Sequence, residues 1–105
     1  VVKFVGLFSL RPGVDPEDAY RYWREKHTIW AKNVMRPELR RYVTNRLTHR
    51  FGKDDIFGFA ELWFDDMQSA MRAAERLQKA KPDEWLSKWI KPPTRFVVME
   101  ADVEL

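Results

Sequence analysis

His27 is the residue in this chain best suited to chemistry. It stands between Trp23 and Trp30 on what the spacing predicts is the apolar stripe of a helix: Ala19, Trp23, His27, Trp30 (or Ala31) and Val34. An imidazole changes charge near neutral pH and can act as a general acid or base. Apolar walls from the two tryptophans favour the neutral ring, which can accept a proton. A histidine on such a stripe can equally be a core residue, its ring bonded to backbone or to Tyr42. Both readings stand at this point.

Other side chains offer narrower chemistry. Tyr42 carries a phenol that can donate a hydrogen bond to a carbonyl or enolate oxygen, or simply packs as a strand tyrosine. By strand alternation Thr44 and Arg46 share its side, so Arg46 can hold an anionic group or lie at the surface. Trp85 and Trp89 sit one helical turn apart, either as a lid or as the docking face of a short helix. Glu61 lies among apolar neighbours, where a charge needs a partner, and reads as a carboxylate paired with a basic residue. The two histidines are separated by 22 positions and there is no Cys, so the spacing does not make a zinc site. None of the four glycines forms a phosphate-binding loop. No metal or cofactor is therefore expected.

The elements that must position these residues are well punctuated. Val2–Leu10 reads as a strand rich in β-branched and aromatic residues, and Arg11-Pro12-Gly13 as the turn after it. Asp15 is a good N-cap, Pro16 suits the first helical position, and Glu17 and Asp18 face the positive helix end. That helix runs to about Met35, before Pro37. Leu39–Arg50 holds a second strand, Gly52–Asp55 a turn, and Ile56–Phe64 a third, strongly apolar strand. On it Gly58 and Ala60 share a face and leave room for something close. Asp65 and Asp66 cap a second helix, Met67–Ala80. A short amphipathic piece, Asp83–Ile90, and a last strand, Thr94–Glu104, complete the chain.

The order βαββαβ predicts an α+β, ferredoxin-like fold: a four-stranded antiparallel sheet with both helices on one face. Residues 1–105 read as one domain. Phe57, Phe59 and Trp63 are expected on the sheet face opposite Gly58, Ala60, Leu62 and Phe64, so both faces are apolar. The helices cover one face. A second sheet must cover the other, and a homodimer is the simplest source. The net charge of +3 is too small to argue for nucleic acid. The lack of Cys fits a reducing, cytoplasmic setting, and no apolar run reaches membrane-spanning length.

Four segments carry a resemblance to a known family. They are Arg11-Pro12-Gly13, then Tyr22-Trp23-Arg24-Glu25-Lys26-His27, then Leu39–Asn45, then Ala60-Glu61-Leu62-Trp63-Phe64 ahead of the second helix. In order and spacing they resemble the EthD family of dimeric α/β-barrel proteins, over nearly the whole chain. The architecture is also similar to that of methylmuconolactone methylisomerases, polyketide cyclases and haem-degrading monooxygenases. The methylisomerase resemblance implies a pocket between helices and sheet with His27 and Tyr42 in it. Leu62 stands where those relatives carry a cysteine, which argues against the same lactone chemistry. His49 is the nearby candidate for a second histidine those relatives use.

The resemblance implies a cofactor-independent enzyme moving a proton on an apolar cyclic or aromatic carbonyl compound, as an isomerase, cyclase, dehydratase or lyase. His27 would be the acid/base and Tyr42 the oxyanion partner. Trp23, Trp30, Arg46, Leu62, Trp85 and Trp89 would line the substrate site. A non-catalytic ligand-binding or accessory protein is the alternative, and a haem-binding barrel a further one. An RNA-binding sheet is disfavoured, because the RNP1 pattern is missing.

Overall fold

The computed structural model describes residues 1–102. Strand β1 (Val2–Ser9) leads into helix α1 (Pro16–Tyr22), a π-helical turn (Trp23–His27) and helix α2 (Thr28–Met35), which follow one another without a break. Strands β2 (Arg41–Arg46) and β3 (Ile56–Phe64), helix α3 (Met67–Lys79), a second π-helical turn (Trp85–Trp89) and strand β4 (Arg95–Glu100) follow. The sheet is antiparallel in the order β2-β3-β1-β4, the ferredoxin-like arrangement. The expected last strand, Thr94–Glu104, is shorter than read, and its positions 103 and 104 lie outside the described residues.

The start of α1 forms for the reasons its residues supply. The Asp15 carboxylate accepts from the Asp18 amide at 2.9 Å, and Pro16 occupies the first turn. The π turn was not visible in the spacing, and it changes which residues are buried. In a regular α-helix, positions four apart precess by ~40° per step. One wider turn takes back part of that drift. Ala19, Trp23, His27, Ala31 and Met35, all four apart, are consequently all buried. Trp30 and Val34, read as part of the stripe, are only half-buried, and Met35 takes the place assigned to Val34. Within the widened turn the Thr28 hydroxyl donates to the Arg24 carbonyl at 2.5 Å.

A β-bulge corrects the reading of β3. Phe8 pairs with Gly58 but Ser9 pairs with Ile56, so Phe57 is the extra residue. The bulge turns Phe57 toward the helices, where it meets the rings of Tyr20 and Trp23 at 6.5 and 6.2 Å between centroids. Phe59 and Trp63 stay on the outer face, which continues across Lys3 and Val5 of β1 to Val97 and Met99 of β4. Glu61 lies there too, half-buried. It accepts from Lys3 Nζ at 2.7 Å and from Asn45 Nδ2 at 2.8 Å, which supplies the basic partner expected for it.

Gly58 and Ala60 share one face, as the strand pattern predicted, and it is the face under the helices. A Cβ on Gly58 would stand 2.4 Å from the Asn45 carbonyl oxygen and 2.9 Å from a Trp23 ring carbon. The indole of Trp23 therefore lies against bare backbone. Ala60 pairs with Gly6, and Gly6 pairs in turn with Phe96. Two small residues thus make a shallow floor in the middle of the sheet.

Arg76 of α3 joins the two helices. It donates to the carbonyls of Val34 at 2.9 Å and Arg36 at 2.8 Å, at the end of α2. It also pairs with Glu38, whose other partner is Arg72 at 3.1 Å. Hydrogen bonds from Arg76 and then Arg72 hold the Glu38 carboxyl at about 2, well below its ordinary 4.5. A carboxyl depressed on folding adds stability that is present above its unfolded value and lost as pH falls through the folded one. Thermal melts of the wild type and Glu38→Gln should therefore differ near neutral pH, with the wild type higher. That gap should close as the pH is lowered from about 4.5 to about 2. A gap that does not change with pH would mean that the Glu38 charge contributes nothing.

Candidate active site

His27 closes the π turn with 4% of its surface exposed. Three aromatic rings surround it: Trp30 at 5.5 Å, Trp85 at 5.9 Å and Phe8 at 6.0 Å between centroids. An unbonded imidazole in such a cage would be costly. Its partner is neither backbone nor Tyr42 but Asp83, whose Oδ2 lies 2.7 Å from Nδ1. The other carboxylate oxygen accepts from the Leu86 amide at 3.1 Å and caps the turn that follows. One side chain thus fixes both the imidazole and the segment Trp85–Trp89. With Nδ1–H held by a carboxylate, the nitrogen left for a ligand is Nε2.

Tyr42 reaches the same space from β2. Its hydroxyl accepts from Trp23 Nε1 at 3.1 Å, and among the described residues no acceptor takes its own proton. Burial pushes the phenol above its ordinary value of 10, so it stays protonated and able to donate. His27, Trp30, Tyr42, Leu62, Ala60 and Phe96 are among the walls of a chamber of about 20 Å³, enough for a single water molecule.

The remaining predicted residues divide into two groups. Trp30 and Leu62 line the chamber. Trp23 and Trp85 lie behind it, fully enclosed and stacked on each other at 5.6 Å. Trp23 reaches the site through its hydrogen bond to Tyr42. Trp89 stacks on Tyr22 at 4.9 Å and does not line the chamber. Arg46 pairs with Glu17 and lies over the Tyr20 ring at 4.9 Å, away from the chamber. His49 is exposed and bonded to Thr48 at 3.1 Å. Among the described residues no cluster of His, Asp and Glu is placed to hold a metal.

Asp83 and Phe96 were missed. Asp83 follows Pro82 and precedes the paired tryptophans, a cap position legible from sequence. Its second partner, 56 residues away, was not. Asp83→Ala should leave a buried imidazole N–H and a turn amide without partners. The expected loss is about 2 kcal/mol of stability in denaturant melts. The nitrogen-15 shifts of the neutral ring should also move away from the Nδ1–H tautomer. Unchanged stability and unchanged shifts would show that the contact does not form in solution.

The chain matches the model of the EthD domain over residues 11–92. None of the curated proteins matches the sequence. Among solved structures it is similar to an ethyl tert-butyl ether D (EthD) family protein from Bacillus halodurans, with a TM-score of 0.69 and 17% identity. That alignment covers 96% of this chain and 98% of the other. It is similar to SnoaB, a cofactor-independent oxygenase from Streptomyces nogalater, with a TM-score of 0.59 and 18% identity over 99% and 95% of the two chains. It is also similar to a mutant of MhuD bound to two manganese protoporphyrins per active site, with a TM-score of 0.61 and 12% identity over 100% and 98%. At these identities the structures show the ferredoxin-like fold alone. The match over residues 11–92 shows that the chain belongs to the EthD family.

Proposed function

We propose that this protein is a cofactor-independent small-molecule enzyme that moves a proton on an apolar cyclic or aromatic carbonyl compound. The observation that carries this reading is the pairing at the chamber. An imidazole oriented through Nδ1 by Asp83 faces the same apolar space as a phenol whose proton is unclaimed. In this reading Nε2 takes a proton from carbon next to the substrate carbonyl, and Asp83 stabilises the imidazolium that forms. Tyr42 donates to the carbonyl oxygen as negative charge develops on it. Returning the proton to another carbon isomerises the substrate, while attack of the enolate carbon on a second carbonyl cyclises it. The likeness to a cofactor-independent oxygenase supports chemistry without a bound helper group.

The chamber's size is compatible with a second reading. At about 20 Å³ it takes no carbonyl compound unless its walls move. A non-catalytic ligand carrier would share that property. A porphyrin does not fit this chamber. Its one free imidazole nitrogen would have to serve as the axial ligand while the walls were displaced.

The outer sheet face supports a homodimer with sheets facing. The outer face carries Phe59 and Trp63 on β3 and, across β1, Val97 and Met99 on β4, which are 43% and 40% exposed. A monomer gains nothing from such a patch. Light scattering should give twice the chain mass for the wild type and the single mass for Val97→Glu. A wild-type monomer would remove the dimer from the proposal.

Activity is tested by screening cyclic and aromatic ketones for solvent-deuterium incorporation at the carbon next to the carbonyl. His27→Ala should lower exchange by about 10²-fold or more, and Tyr42→Phe by about tenfold or more, with both variants folded. Saturable binding without exchange, unaffected by His27→Gln, would establish the carrier reading instead.

A further inference from the structure

Beside the chamber at His27 lies a groove of about 340 Å³, and the two share four lining residues: Phe4, Leu77, Leu86 and Phe96. The groove continues past Ala74 of α3 and Pro82, just ahead of the second π turn. Its volume is that of a small-molecule site, whereas the chamber's is not. Apart from His27, no side chain lining either space carries a formal charge. The polar groups in the groove are Gln78, Ser87 and Thr94. Nothing there would hold an anion, and Arg46, the cation once read as a substrate anchor, is tied to Glu17 elsewhere.

The partition between the two spaces is unevenly held. Phe4 is enclosed, at 6% exposure, and belongs to the core. Phe96 stands on the edge strand β4, is 40% exposed, and stacks on Phe4 at 5.1 Å. Its ring lies over Gly6, 3.1 Å from where a Cβ would be. Phe96 thus fills the space above the sheet's shallow floor with a ring that has solvent on one side.

We propose that chamber and groove are two halves of one site for a neutral, elongated, apolar molecule, with Phe96 as the side chain that parts them and sets the length admitted. The reacting end would lie at His27 and Tyr42 and the remainder in the groove. This placement rests on the proton-transfer reading, but binding in the groove does not require turnover.

The test is a fluorescence titration of the whole chain with Nile red, a neutral elongated probe, beside the anionic 8-anilinonaphthalene-1-sulfonate. Nile red should bind at one site per chain and about tenfold tighter than the anion. Phe96→Ala should tighten Nile red about tenfold by removing the partition, and Gln78→Trp, an exposed position on α3, should weaken it about tenfold by filling the groove. Nile red binding and its response to Gln78→Trp are expected whether or not the protein catalyses proton exchange. That separates failure of the groove from failure of the chemistry. Equal affinity for the two probes, or no response to Gln78→Trp, would overturn the proposal. If Phe96→Ala does not fold, Gln78→Trp decides it alone.

Discussion

The hydrogen bond between His27 and Asp83 is the interaction on which the rest of the site depends. A polar ring enclosed by Trp30, Trp85 and Phe8 is tolerable only when it is bonded, and Asp83 supplies the bond at 2.7 Å. The same carboxylate caps the turn that carries Trp85 and Leu86. The far end of that turn is fastened to the end of β1. The Arg11 amide donates to the Trp89 carbonyl at 3.0 Å, and the Lys91 amide to the Ser9 carbonyl at 2.7 Å. The Arg11 side chain adds bonds to the carbonyls of Ile90 and Ser87. Segment 83–91 is therefore a strap anchored at both ends, with Leu86 pressed into the chamber wall between them. Imidazole orientation and wall position are set by one element.

Tyr42 is placed by a chain of constraints that begins with an absent side chain. Because Gly58 has no Cβ, the Trp23 indole can lie against β3, and its N–H then meets the Tyr42 hydroxyl. The π turn keeps Trp23 and His27 on one face of a long helix that would otherwise rotate one of them away. The bulge at Phe57 adds a fourth ring against Trp23, beside those of Phe8, Tyr20 and Trp85. The first π turn and the bulge both lie beside Trp23, and each one aims an aromatic ring.

Local signals in the sequence were sufficient for the elements. Asp15-Pro16, Asp65-Asp66 and the alternation in β1 and β3 place caps and strands by chemistry that acts over a few residues. The order βαββαβ then leaves few topologies. His27 and Tyr42 were legible because their types are unusual for their places. Asp83 was not, since an acidic residue after proline looks like any helix cap until the chain folds and brings the first π turn against it. Trp85 was misleading for the opposite reason: aromatic spacing cannot separate a lid from a docking face, and 0% exposure decides for the core. The π turn and the bulge each insert one residue, and a one-residue slip is what periodicity arguments resolve worst. Phe57 and Val34 were assigned to the wrong faces for that reason.

The small chamber follows from the character of its walls. A dry apolar void costs roughly 24 cal/mol per Å³, so a cavity the size of the groove, 340 Å³, would cost about 8 kcal/mol if enclosed and empty. That is comparable to the whole stability of a small domain. The space bounded by His27 and Tyr42 amounts to only about 20 Å³, a volume that costs little. The larger volume is kept where water can fill it, beside Gln78, Ser87 and Thr94. Asp83, Trp23 and the strap hold position around His27 and Tyr42. Phe96, at the groove, lies on β4, an edge strand of the sheet among the described residues. In the proposed reading, a site divided in this way keeps the geometry of the acid–base pair fixed while the shape of the molecule it admits is set elsewhere.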